Sequence, residues 1–205
     1  METTSKPAAG DPLDVAAEPP VVEAAASGDF LPETGFSQIV DRVIGWIGTG
    51  VSFLWPLIML GIVGNVIARY ALAANIGQLE ELQWHLYAVA FLFGLAYAAS
   101  RDQHIRIDVF YAAFPNSVKA WVELFGLLLF ALPFTYLILR YAWPFLVASY
   151  EIGERSEQPS GLPYRWIVKS ALFFAFALLA VTFLARLSRV TARLFGFPRP
   201  RWPAA

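Results

Sequence analysis

Between Leu86 and Ala99 the sequence is an unbroken run of apolar and small residues, and polar clusters of different kinds bracket it. Glu80, Glu81 and the Trp84-His85 pair precede it; Arg101, Asp102, His104, Arg106 and Asp108 follow, interleaved with Ile105, Ile107 and Val109. A helix of about 20 residues, rising 1.5 Å per residue, crosses the hydrocarbon of a bilayer. An aromatic-acidic entry and a basic exit suit that crossing and have little use in a water-soluble fold. Composition agrees: charged residues make up 15% of the 205-residue chain, against about 25% in an average soluble domain.

Three further stretches have the same character, and together they predict an all-α integral membrane protein with four transmembrane helices. The spans are expected at about 47–68, 84–100, 120–145 and 166–184, within a membrane domain of residues 36–190. Pro56 is expected to kink the first span, because it removes a backbone donor from the helix ladder. Asn65 reads as an interhelical hydrogen-bonding group. In the second span Ala90, Gly94 and Ala98 recur every four residues, a small-residue stripe where another helix can pack closely. Glu123 and Arg140 in the third span read as charges that reach the headgroups by snorkelling.

The remaining segments are short or polar. Residues 1–35, rich in Ala, Pro and Glu and without apolar periodicity, read as a disordered tail. Val109, Phe110, Ala113 and Phe114 fall at helical spacing and predict a short interfacial helix between the second and third spans. Residues 191–205 form a basic tail. Four spans place both termini on one side. Arg101, Arg106 and Lys119 of the second loop, with the arginines that follow the last span, make that side cytoplasmic by the positive-inside rule, so the expected orientation is N-in/C-in.

Several chemistries are excluded. The chain has no cysteine, so disulfides and thiol catalysis do not arise. Its two histidines, His85 and His104, stand at opposite ends of one helix, about 28 Å apart at the helical rise, which rules out a bis-histidine haem within one chain. The ligand set for a zinc site is missing, as are a phosphate-cradling glycine loop and a plausible Ser-His-Asp arrangement. No feature points to nucleic acid. The span centres are almost wholly apolar, against the midplane polar groups of an autonomous carrier.

Two motifs carry a resemblance to a known family. In the first, Glu81 and Trp84 precede a helix containing Gly94, Ala96 and Tyr97, which leads into His104-Ile105-Arg106-Ile107-Asp108. In the second, Glu154, Ser156, Pro159, Gly161, Leu162 and Pro163 precede Trp166 and Lys169 at the start of the last span. In order and spacing the chain, from about Ile39 to Arg189, resembles the small membrane subunit (DctQ type) of tripartite ATP-independent periplasmic (TRAP) transporters. Ser160 departs from the pattern where a second glycine is common, and the N-terminal tail is longer than expected.

The resemblance implies a subunit of the bacterial inner membrane with no catalysis and no cofactor of its own. It would brace a large permease subunit (DctM type) that carries an organic acid of the dicarboxylate or keto-acid class together with coupling sodium. A periplasmic substrate-binding protein (DctP type) would deliver the substrate, and the lipid bilayer would be the remaining partner. Glu81, Trp84, His104, Arg106 and Asp108 are then candidates for interfacial anchoring or subunit contact. So are Glu154, Ser156, Pro159, Gly161, Pro163, Trp166 and Lys169, with turn formation an equal reading for the Gly161-Pro163 segment. The alternative class is a membrane anchor subunit of a redox enzyme complex.

Overall fold

A computed structural model of the chain describes residues 31–71, 73, 77–101, 114–157 and 162–199. His104, Arg106, Asp108, Pro159 and Gly161, the expected interfacial helix from Val109 and the first thirty residues lie outside them. The described residues are helical, without a β-strand: α1 (Gly35–Ser52), α2 (Leu54–Ala71), α3 (Gly77–Ser100), α4 (Asn116–Gly126), α5 (Leu132–Glu151) and α6 (Trp166–Phe195). A single π-helical turn, Leu127–Ala131, joins α4 to α5. Four continuous helical stretches are long and apolar enough to cross a membrane: Gly35–Ala71, Gly77–Ser100, Asn116–Glu151 and Trp166–Phe195. Each of the expected spans lies inside one of them.

The helix irregularities follow from proline. Pro56 has no N–H to give Ser52, and the ladder breaks just there: Phe53 separates α1 from α2, its N–H turning back to Gly50 O at 3.3 Å. Pro133 stands in the first turn of α5, and its ring would collide with the carbonyl four residues earlier. The π turn that ends at Ala131 widens the backbone at that place.

The start of α1 is better fixed than the expected tail boundary suggested. Thr34 caps the helix by accepting from Ser37 N at 3.1 Å, while Ser37 Oγ accepts from Thr34 N at 3.1 Å, a reciprocal arrangement that satisfies two otherwise orphaned donors. The Thr34 hydroxyl also lies 2.9 Å from Ser188 Oγ on α6. Leu31 to Thr34 are therefore packed structure, with Leu31 in a cluster formed with Ala120, Leu124, Leu127 and Val190.

The helices form an open row and do not close into a bundle. Helix α6 is the middle member, packed on one side against α5 and on the other against α3; α1 lies across both α3 and α6, and α2 packs on α3. Small residues make this possible. Ala171, Ala175, Leu179, Thr182 and Ala185 form one buried stripe along α6, facing Ala96 and Ala99 of α3 at Leu179 and Val40 and Ile44 of α1 at Ala185. Packing by alanine lets backbones approach where burial from lipid supplies no hydrophobic drive. The closest approach is at Gly48, where a Cβ would stand 2.2 Å from the Tyr97 ring. Gly94 of the expected stripe has no atom within 4 Å of its Cβ position, so the tight seam runs along Ala96 and Ala99 and leaves Gly94 outside it.

Outward faces are apolar almost throughout. Leu57, Leu60, Val63 and Ile67 of α2, and Phe130, Phe134 and Leu137 of the third stretch, are exposed. Such surfaces cannot face water at this extent; the chain is a multi-pass membrane protein.

Candidate functional site

At one end of the row the loop between α5 and α6 is folded back on itself and clipped to α3. Helix α5 ends in a left-handed glycine, Gly153 with φ +57°. Gly153 N bonds Tyr150 O at 3.1 Å and Glu154 N bonds Ser149 O at 3.0 Å, the double closure that satisfies the last carbonyls of a helix. This termination turns the chain so that Glu154 faces α6. Arg165 N then bonds Glu154 O and Ser156 N bonds Leu162 O, each at 3.3 Å, zipping the two limbs of the loop together. Tyr164 takes a left-handed φ of +67°, held by those bonds and by Ile167 N to Tyr164 O at 3.0 Å.

Two carboxylates hold the folded loop. Glu81, buried at the start of α3, accepts from Leu162 N at 2.7 Å and from the Ser156 hydroxyl. One acid thus bonds both limbs. Glu154 pairs with Lys169 of α6, and Arg165 stands 3.8 Å from its other oxygen. The hydrogen bond from Lys169 and the positive charges of Lys169 and Arg165 hold the Glu154 carboxyl below its ordinary pKa. The Lys169 ammonium also sits 3.9 Å from the centroid of the Phe145 ring. Trp166 packs edge-on against Tyr150 with centroids 5.4 Å apart.

The two sequence motifs therefore meet. Glu81 from the first and Ser156, Leu162, Glu154, Trp166 and Lys169 from the second form one connected structure, although Glu81 and Leu162 are 81 residues apart. Trp84 does not join it: its side chain is 68% exposed, directed outward as an interfacial anchor would be. Pro163 is exposed as well. His85 reaches the Glu81 backbone carbonyl, Nδ1 to O at 2.6 Å; the Glu81 carboxylate is turned instead to the loop.

The opposite end carries a second polar layer that sequence reasoning missed. Asp41 of α1 pairs with Arg189 of α6, and Glu123 of α4 pairs with Arg186 at 2.7 Å. A cleft of about 450 Å³, lined by Glu33, Asp41, Arg42, Arg101, Arg186 and Arg189 among others, opens beside them. The available signal was thin: a single acid, Asp41, in an otherwise apolar amphipathic stretch, and arginines three residues apart near the end of the last span. The positive-inside rule accounts for those arginines as topology and carries no information on which acids they meet.

Comparison with protein families decides the kind of protein. The family described as tripartite ATP-independent periplasmic transporters, DctQ component, matches residues 58–193, about two thirds of the chain, including both clipped limbs and the helices they join. The chain belongs to the DctQ family. No curated protein and no solved structure matches it. DctQ is a transporter component and works with the large DctM subunit and the DctP binding protein; nothing in the match supports a redox anchor. Glu81 and Glu154 of this DctQ subunit are occupied by a backbone amide and by basic side chains of its own chain.

Proposed function

We propose that this DctQ chain is the static brace of a sodium-coupled importer of organic acids, of the dicarboxylate or keto-acid class, in the bacterial inner membrane. Its termini lie in the cytoplasm, and the α2–α3 and α5–α6 loops lie in the periplasm, within reach of the substrate-binding protein. The large permease subunit carries substrate and sodium. The observation that carries this reading is the open row of helices, α2, α3, α6 and α5, whose long outward faces no other part of the described chain covers. A row encloses no path between its members, whereas it offers a broad wall for a larger membrane protein. The loop rigidly clipped by Glu81 and Glu154 suits a platform that does not move during transport.

Reconstitution tests the reading directly. In proteoliposomes, uptake of a labelled dicarboxylate or keto acid is expected only when this chain, its large permease subunit and the binding protein are all present, and only with an inward sodium gradient. Uptake by this chain alone, or uptake by the complete set that ignores sodium, would overturn the corresponding part of the proposal. A cysteine placed at Glu157 should be labelled by an impermeant reagent from the periplasmic side, which fixes the orientation.

A further inference from the structure

Arg140 is a charge within the third helical stretch that neither polar layer accounts for. Helices α5 and α6 run antiparallel, with Tyr150 against Trp166 and Trp143 against Phe173, both at centroid distances of 5.4 Å. In that register Arg140 stands level with about residue 176. Seven residues separate that level from Lys169 and ten from Arg186, so Arg140 lies about 10 Å inside the level of Lys169 and about 15 Å from that of Arg186, with Glu123 farther still. It is exposed on the outer face of α5, surrounded by exposed Tyr136, Leu137, Tyr141 and Trp143. Among the described residues no acid pairs with it.

Snorkelling does not resolve this position well. Helical side chains lean toward the helix N-terminus. For Arg140 that direction leads away from the nearer surface, which lies toward Glu151, and deeper into the apolar span. A cation at such depth is costly when only acyl chains surround it, and a hydrogen-bonding acceptor removes most of that cost. Lipid tails offer none.

We infer that the outer face of α5 around Arg140 is the surface on which a transmembrane helix of the large permease subunit docks, presenting a carboxylate to the guanidinium. The inference rests on the DctQ reading for the identity of the partner; the face and the chemistry of the contact come from the position of Arg140. Tyr136, Tyr141 and Trp143 supply rigid contact area around the charge, the composition that favours protein neighbours at an interface core.

The test uses the full chain co-expressed with its large permease subunit. Arg140→Leu is the decisive substitution, because leucine suits lipid at least as well as arginine and leaves the lone chain folded, which the helical signal and thermal midpoint of the purified subunit verify. The amount of large subunit recovered with it should fall about tenfold or more, as loss of a buried charge-assisted contact dictates. Photo-crosslinkers at Leu137 and Tyr141 should give adducts with the large subunit, and crosslinkers at Met59 and Val63 on α2 should not. Full recovery of the complex with Arg140→Leu would overturn the inference whatever the crosslinks show. So would adducts formed only from α2, or only with lipid from α5. If the unsubstituted chain recovers no large subunit at all, the family-based partner fails first and the docking inference falls with it.

Discussion

The two ends of α6 use the same side-chain chemistry for different purposes. At its start, Lys169 meets Glu154, three residues past the end of the preceding helix, and nearby Glu81 spends its carboxylate on the Leu162 amide. The partners there are loop backbone and loop side chains. Toward its far end, Arg186 and Arg189 meet Glu123 and Asp41, which lie on two other helices. One end therefore orders a loop; the other locks helices in position. Removing an acid should accordingly have a local consequence at the first end and a global one at the second.

The largest effect is expected from breaking the α1–α6 pair. Arg189→Leu leaves Asp41 half-buried beside apolar helices without its cation. With side chains 25% and 31% exposed, the loss should fall below that of a fully enclosed pair, about 2–3 kcal/mol. For a chain of this length that lowers the thermal midpoint in detergent by about 5–10 °C. The exchanged pair, Asp41→Arg with Arg189→Asp, should recover most of it. A midpoint unchanged by Arg189→Leu would show that the helix positions are set by alanine packing alone.

At the other end, Glu81→Ala removes the acceptor that joins α3 to the loop and leaves the Leu162 amide without its partner. The local cost is about 1.5–3 kcal/mol, so amide exchange or protease cleavage between Ile152 and Arg165 should accelerate about tenfold or more. The global midpoint should hardly move, because α3 and α6 keep their alanine seam. Equal falls in midpoint for Glu81→Ala and Arg189→Leu would erase the distinction between the two ends.

Much of this architecture was legible in the sequence because a bilayer imposes simple demands. Length, apolarity and flanking charge identify the four spans, and Pro56 locates the break at Phe53 within three residues. The motif residues Glu81, Glu154, Ser156, Trp166 and Lys169 were legible as a set, but not their relation: no periodicity connects the start of α3 with a loop 81 residues later. Nothing in the sequence marks Gly153, since the need for a left-handed residue appears only once α5 is known to end at Glu151. Of the expected stripe, Ala90 is buried, while Gly94 has open space at its Cβ position. Ala90, Gly94 and Ala98 satisfy the small-residue pattern as well as Ala96 and Ala99 do, and only the position of α6 distinguishes them. A span ending at Phe145 puts Arg140 close to a helix end, whereas the helix runs to Glu151.

The smallest effect, and the sharpest separation of the ends, is expected from pH. The Glu154 carboxyl is held below its ordinary value of 4.5 by Lys169 and Arg165. A carboxyl whose pKa is depressed in the folded state contributes its full stability above the unfolded value and loses it as pH falls through the folded value. Loop protection should therefore stay constant from pH 7 down to about 4.5 and decline only below it. Protonation of the Glu154 acid is then the event that releases the pair. Glu154→Gln should start with a looser loop at neutral pH and show a flatter decline. Loosening already between pH 7 and 6, or an identical profile in Glu154→Gln, would mean that Glu81 and the backbone zipper hold the loop without help from the Glu154–Lys169 pair.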